Sequence, residues 1–183
     1  MSLRSVTLLM SVAALCAPVA HAEMLAFDNS PLIQHKEELM GVGDLILSHG
    51  FALAYAPASG EPYPVGFAAV GPRWRYNGRS FAIATNTCSG SATLMPESGG
   101  RFDVHSIDLA ALNGDGPSST TFVGLLEDGG TVEFPVEIDV ARGWQRLTFP
   151  PSFRGLVAMT WLQGDCIENK PHMFDNLRVD RVD

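Results

Sequence analysis

The sequence predicts an all-β protein, a jelly roll or β-sandwich of about eight to ten strands with at most one short helix. Three observations carry this expectation. Short runs of alternating apolar and polar residues recur along the chain, broken by turns rich in Gly, Pro and Asn at roughly 8 to 15 residue spacing. Helical periodicity is confined to one brief stretch, with no internal repeat and no low-complexity segment. The third is a change of parity inside Gly99-Gly100-Arg101-Phe102-Asp103-Val104-His105-Ser106-Ile107-Asp108-Leu109. Phe102 and Val104 fall on one face of a regular strand and Ile107 and Leu109 on the other, so the four cannot share an inward face without a β-bulge or a corner between sheets.

The first 22 residues have the form of a signal peptide: a short positive start ending at Arg4, an apolar core from Val6 to Leu15, and a small-x-small step at Ala20-His21-Ala22. The apolar core is too short for a membrane anchor. Leu15 before Cys16 argues against a lipoprotein signal, which wants a small residue there. The expected mature chain, 23–183, is a single β-sandwich domain, secreted or periplasmic, with no membrane span after the signal is removed. Losing Arg4 lowers the net charge from −8 to −9. A body that acidic repels phosphate backbones, which excludes general nucleic-acid binding. Cys88 and Cys166 then remain as a pair in an oxidising compartment, where a disulfide is the first reading and would contribute about 4 kcal/mol by constraining the unfolded chain. Free thiols are the alternative; with no CxxC nearby, zinc is not expected.

Along the mature chain, Phe27-Asp28-Asn29 ends the first strand. Ser30-Pro31 has the form of a helix start, with Leu32, Lys36, Leu39 and Met40 making one or two turns before Gly41-Val42-Gly43. Leu45 to Tyr55 reads as one bent strand or two consecutive ones, and Val65 to Val70 as a short one. Arg73 to Arg79 is a loop with a tight Asn77-Gly78 turn. Phe81 to Ile83 and Ser91 to Met95 follow as strands, then the parity-changing stretch. Asn113 to Pro117 is a loop, Phe122 to Leu126 a strand, and Glu127-Asp128-Gly129-Gly130 a hairpin turn. Val132 to Ile138 is the cleanest half-buried alternation; Pro135 cannot donate to a ladder, which places this strand at an edge or its outer side at a bulge. Trp144 to Phe149 is a strand, Leu156 to Leu162 is apolar on both parities and reads as central, and Met173 to Val182 closes the chain.

Two places attract chemistry. In the loop, Trp74 and Tyr76 offer flat faces to a sugar ring, while Arg73, Arg75, Asn77 and Arg79 offer donors to hydroxyls or carboxylates. The competing reading is that an aromatic plugs the end of the sandwich and the arginines cover it. In the closing strand, parity puts Asp175 with Met173, Leu177 and Val179, facing inward, and an inward carboxylate needs a partner. That partner is a backbone N–H, an arginine, or a structural calcium shared with Asp28 if first and last strands are neighbours. No other cofactor is required. There is no GxSxG, no HExxH, no phosphate-binding glycine loop and no EF-hand, and His35, His49, His105 and His172 have no ligand-like spacing.

The run Arg101 to Ala110, the Val123-Gly124-Leu125 strand with its Gly129-Gly130 turn, and the closing Phe174-Asp175-Asn176-Leu177-Arg178-Val179 together resemble exported bacterial proteins of the PEP-CTERM type. The resemblance implies a jelly roll similar to carbohydrate-binding modules and galactose-binding-like domains, and a calcium held through Asp175 alone of these residues. The chain ends at Arg181-Val182-Asp183 without the Pro-Glu-Pro motif, transmembrane tail or basic terminus of that type. The expected function is a non-catalytic exported module binding carbohydrate. A structural or adhesive envelope protein that binds other proteins is the alternative, and a glycan-active enzyme a third.

Overall fold

Alternation in the sequence becomes strand after strand in the computed structural model, which describes residues 22–26, 39–57, 66–74, 77–85, 90–113, 116–139, 142–164 and 170–182. In order these form β1 (Glu23–Leu25), β2 (Leu39–Gly43), β3 (Leu45–Ser48), β4 (Phe51–Ala56), β5 (Phe67–Val70), β6 (Ala82–Thr85), β7 (Ser91–Pro96), β8 (Arg101–Ala111), β9 (Ser118–Leu126), β10 (Thr131–Ile138), β11 (Gln145–Thr148), β12 (Leu156–Leu162) and β13 (His172–Val182). No helix occurs among the described residues, so none is long and apolar enough to cross a membrane. Leu39 and Met40, expected to end a helix, instead pair with Val70 and Ala69 in β2, because a neighbouring strand supplies hydrogen bonds that an isolated short helix lacks. The rest of that expected helix, Asp28, Arg75, Tyr76, Cys88 and Cys166, and the leader up to residue 21 lie outside the described residues.

The strand count exceeds expectation partly because Leu45 to Tyr55 is two strands. His49 and Gly50, both at positive φ (50° and 75°), turn β3 back on β4.

The pairings make two layers. One runs β2-β5-β6-β13-β8, with β1 beside the far half of β13 and β11 beside β8. The other runs β3-β4-β7-β12-β9-β10, and a pairing of Leu156 with Phe102 joins the two. One apolar core lies between them. Phe102, Val104, Ile107, Leu109, Phe174, Leu177 and Val179 meet Phe51, Leu53, Leu94, Phe122, Met159 and Trp161 there. Phe51 packs edge-on to Phe102 at 5.6 Å and Trp161 edge-on to Phe174 at 5.1 Å, each bridging the layers. As expected, β12 is central, flanked by β7 and β9, and β10 is an edge that among the described residues pairs only with β9 and carries Pro135.

The first layer also has an apolar outer face at one end. Val70, Ala82, Ala84, Ala110, Leu112 and Met173 form a second cluster, capped by Trp74 and Trp144. The parity change in β8 proves to be a bulge: Val179 pairs with Val104 and Arg178 with Ser106, so His105 is the extra residue. Phe102, Val104, Ile107 and Leu109 are all fully buried in the core, as the bend requires. β13 answers with a bulge of its own. Asp108 pairs with Asp175 while Ser106 pairs with Arg178, leaving Asn176 as the extra residue at φ 49°, a left-handed conformation that Asn tolerates. This second bulge corrects the expected orientation of Asp175. Leu177 and Val179 face the core, but Asp175 lies on the outer side with Met173, because the parity resets at Asn176.

Candidate functional site

The two bulges and the alternation around them send a set of polar side chains to the outer face of the first layer. β8 contributes Ser106 and Asp108, neighbours of the inward Ile107 and Leu109. β11 contributes Arg146 and Thr148, on either side of Leu147, which packs against the core. β13 contributes Asp175, Asn176 and Arg178.

Asp108 is the hub. It is 1% exposed, and Arg146 grips it with two bonds, Nε to Oδ1 at 2.8 Å and Nη2 to Oδ2 at 3.1 Å. Asn176 Nδ2 donates to Oδ2 at 3.1 Å and Arg79 Nη1 at 3.3 Å. Burial alone would raise the pKa of this carboxyl. The hydrogen bonds from Arg146 and Asn176, with the charges of Arg146 and Arg79, outweigh it and hold Asp108 below its ordinary 3.8. The same contact raises Arg146, chiefly through its hydrogen bond to Asp108. Asp175, register partner of Asp108 and also 1% exposed, accepts from Ser80 Oγ at 2.9 Å and from the Asn176 backbone N–H at 2.7 Å. Two like charges opposite each other on a sheet repel. The two guanidinium groups on Asp108 offset that repulsion.

The structure treats the loop residues singled out by sequence in different ways. Asn77 is buried, and its Nδ2 donates to the carbonyls of Val70, Gly71 and Ser80 at 3.0, 3.0 and 2.7 Å, which fixes the loop. Trp74 is half-buried over the outer apolar cluster and donates from Nε1 to Leu112 O at 3.2 Å. Arg79 reaches Asp108 and lies 5.4 Å over the ring of Trp144, whose Nε1 donates to Asn77 O at 2.7 Å. Arg73 is exposed. The loop therefore covers one end of the outer face, and through Arg79 it is tied to the Asp108 hub.

Beyond the hub the face is open. A cleft of about 440 Å³, within the ordinary size of small-molecule sites, is lined by Met24, His105, Ser106, Arg146, Thr148 and Arg178 among others. At its rim His105 is held rigidly: Arg154 Nη1 donates to Nδ1 at 2.9 Å, which leaves the ring proton on Nε2 for Asp180 at 2.7 Å. A second cleft of about 310 Å³, by Ser119, Thr121, Val123, Thr160 and Leu162, has no charged lining. Among the described residues, no three of His, Cys, Asp and Glu come together as a metal site requires.

Ser106, Asp108, Arg146, Thr148, Asn176 and Arg178 were not singled out from sequence. Outward alternation beside Leu147 marks Arg146 and Thr148, and alternation beside Ile107 marks Asp108. Only the strand register brings them together.

No protein-family model and no curated protein matches the chain. Solved structures with a similar chain path include a family 29 carbohydrate binding module, 11% identical, covering 88% of this chain and 88% of that one at a TM-score of 0.48. Another is the N-terminal CBM22-1-CBM22-2 tandem domain from Paenibacillus barcinonensis Xyn10C, 10% identical, covering 91% of this chain and 47% of that one at a TM-score of 0.43.

Proposed function

We propose that the protein is an exported, non-catalytic binding module that holds a carbohydrate on the outer face of its first layer. The cleft carries the reading: a concave surface on paired strands, lined by hydroxyl, amide and guanidinium donors, of which Arg146 and Asn176 are held in place by Asp108 before any ligand arrives. The buried carboxylates beneath it suit positioning. Asp108 is ionised, covered and fully engaged, so it orients Arg146 and cannot serve as a general acid near neutrality. Of the loop residues expected to bind, Arg73, Trp74, Asn77 and Arg79 are among those described, and Arg79 links the loop to the site through Asp108; a role for Tyr76 and Arg75 in holding the ligand belongs to the same proposal. No cofactor is needed for this role. Export follows from the leader. Cleavage after Ala22 would start the mature chain at Glu23, the first residue of β1, and keep every β1–β13 pair. A periplasmic or secreted protein related to the PEP-CTERM type is part of the same proposal.

The test is a glycan array probed with the mature chain. Thr148 is exposed on β11, so Thr148→Trp fills the cleft without touching the core; it is expected to abolish binding seen with the parent chain. A silent array, with a protein recovered by pull-down, would overturn the reading in favour of an adhesive envelope protein.

A further inference from the structure

Nearly all of the described arginines are spoken for. Among the described residues, Arg79 and Arg146 pair with Asp108, Arg101 with Glu127, Arg142 with Asp139 and Arg154 with Asp103, while Arg181 donates to Ser98 and Gly50 and Arg73 also has a partner. Arg178 stands apart. It is exposed, it lines the cleft, and no carboxylate, carbonyl or hydroxyl engages its guanidinium. Arg181 also lacks a carboxylate partner but is held by Ser98 and Gly50, whereas among the described residues the Arg178 guanidinium has no hydrogen-bond or ion-pair partner.

Its position is set by register. Met24, Arg178, Ser106 and Thr148 are successive cross-strand partners on β1, β13, β8 and β11, forming one row across the cleft floor. Three inter-strand spacings give that row a length of about 14 Å. Further along the row, the Ser106 and Thr148 hydroxyls likewise have no hydrogen-bond partner among the described residues. Arg146, in the next row, uses Nε and Nη2 on Asp108 and also lines the cleft. The carboxylates of this face, Asp108 and Asp175, are both covered, Asp108 engaged by Arg146, Arg79 and Asn176 and Asp175 by Ser80 and the Asn176 backbone N–H.

Resting on the carbohydrate reading above, we infer that the cleft selects an acidic glycan, one whose sugar carboxylate is taken by Arg178 while the Ser106 and Thr148 hydroxyls and Arg146 take ring hydroxyls. A planar guanidinium matches a planar carboxylate with two parallel hydrogen bonds. One unpaired arginine balances a single negative charge. A doubly charged phosphate on so acidic a body would want a further free cation such as a lysine, and no lysine lines the cleft.

Calorimetry of the mature chain with trigalacturonate, with its fully methyl-esterified form and with a sulfated neutral trisaccharide tests this. Trigalacturonate is expected to bind at least tenfold more tightly than the other two, and Arg178→Gln to remove that preference. Because Arg178 supports no other residue, the variant is expected to melt with the parent. Equal binding of the ester and the free acid overturns the acidic preference and leaves the carbohydrate reading standing. Stronger binding of the sulfated sugar also overturns it, and no binding of any of the three, with a silent array, overturns both.

Discussion

The two faces of the first layer each bury an ionisable group on β13 or its partner β8, and they do so in opposite ways. His172, on the side of the strand away from Met173, is fully buried with neither ring nitrogen hydrogen-bonded, and burial pushes its pKa down to about 3. Asp108, on the outer face, is equally covered yet ionised, because four donors converge on it. The inner side thus admits a titratable residue only in its neutral form. The outer side keeps charge and orients it, and a polar ligand is accordingly sought there.

Acid breaks this contrast most strongly. A histidine neutral in the folded state but protonated in the unfolded one lowers stability as pH falls from 6.5 towards about 3, by up to about 1.4 kcal/mol per pH unit. Urea unfolding between pH 7 and 4 should show that slope, and His172→Leu should flatten it. An unchanged slope would mean that the imidazole finds a partner and that the two faces do not differ.

The next effect is smaller. Asp108→Asn keeps the shape and removes the charge that Arg146 and Arg79 grip. Both guanidinium groups are about half or more exposed, so solvent screens part of the loss, and about 2 kcal/mol is expected at pH 7 by chemical denaturation. Since Asp108 titrates below 3.8, its contribution is complete above that pH and disappears as acid protonates the folded carboxyl, so parent and variant should converge at very low pH. A difference that persists there would assign the loss to packing.

The smallest expected effect concerns calcium at Asp28 and Asp175. Asp175 already accepts from Ser80 and Asn176, and arginine supplies the neighbouring positive charge, so chelation is expected to leave the melting temperature of the mature chain unchanged. A clear drop would show that a cation shares the outer face with the arginines.

Elements whose signal is local were legible in the sequence. β12 occupies Leu156–Leu162 as its two-sided apolar run predicts, and Pro135 marks the edge strand β10. The bend between Val104 and Ile107 was legible too, because a core demands a common inward face. The site was not. Asp108, Arg146 and Arg178 come from three strands, and nothing local says which strands adjoin. Asp175 misled by parity for a related reason: Met173 looks like a core residue, but the outer face has an apolar cluster of its own, so hydrophobicity could not distinguish the two sides. The left-handed turn at Asn176 leaves no mark on the alternation.

The opposed bulges tie the lengths of β8 and β13 together. From Val104 to Asp108 and from Asp175 to Val179 each strand advances four residues, so the register lost at His105 is regained at Asn176. Deleting either residue alone would displace half of the central ladder and turn core side chains to the wrong side. Deleting both would restore a plain antiparallel ladder with every inward residue in place. Insertions and deletions in this pair of strands can therefore drift only in matched steps, and a matched step at the bulges preserves the sandwich while removing His105 and Asn176, two of the residues that line the cleft.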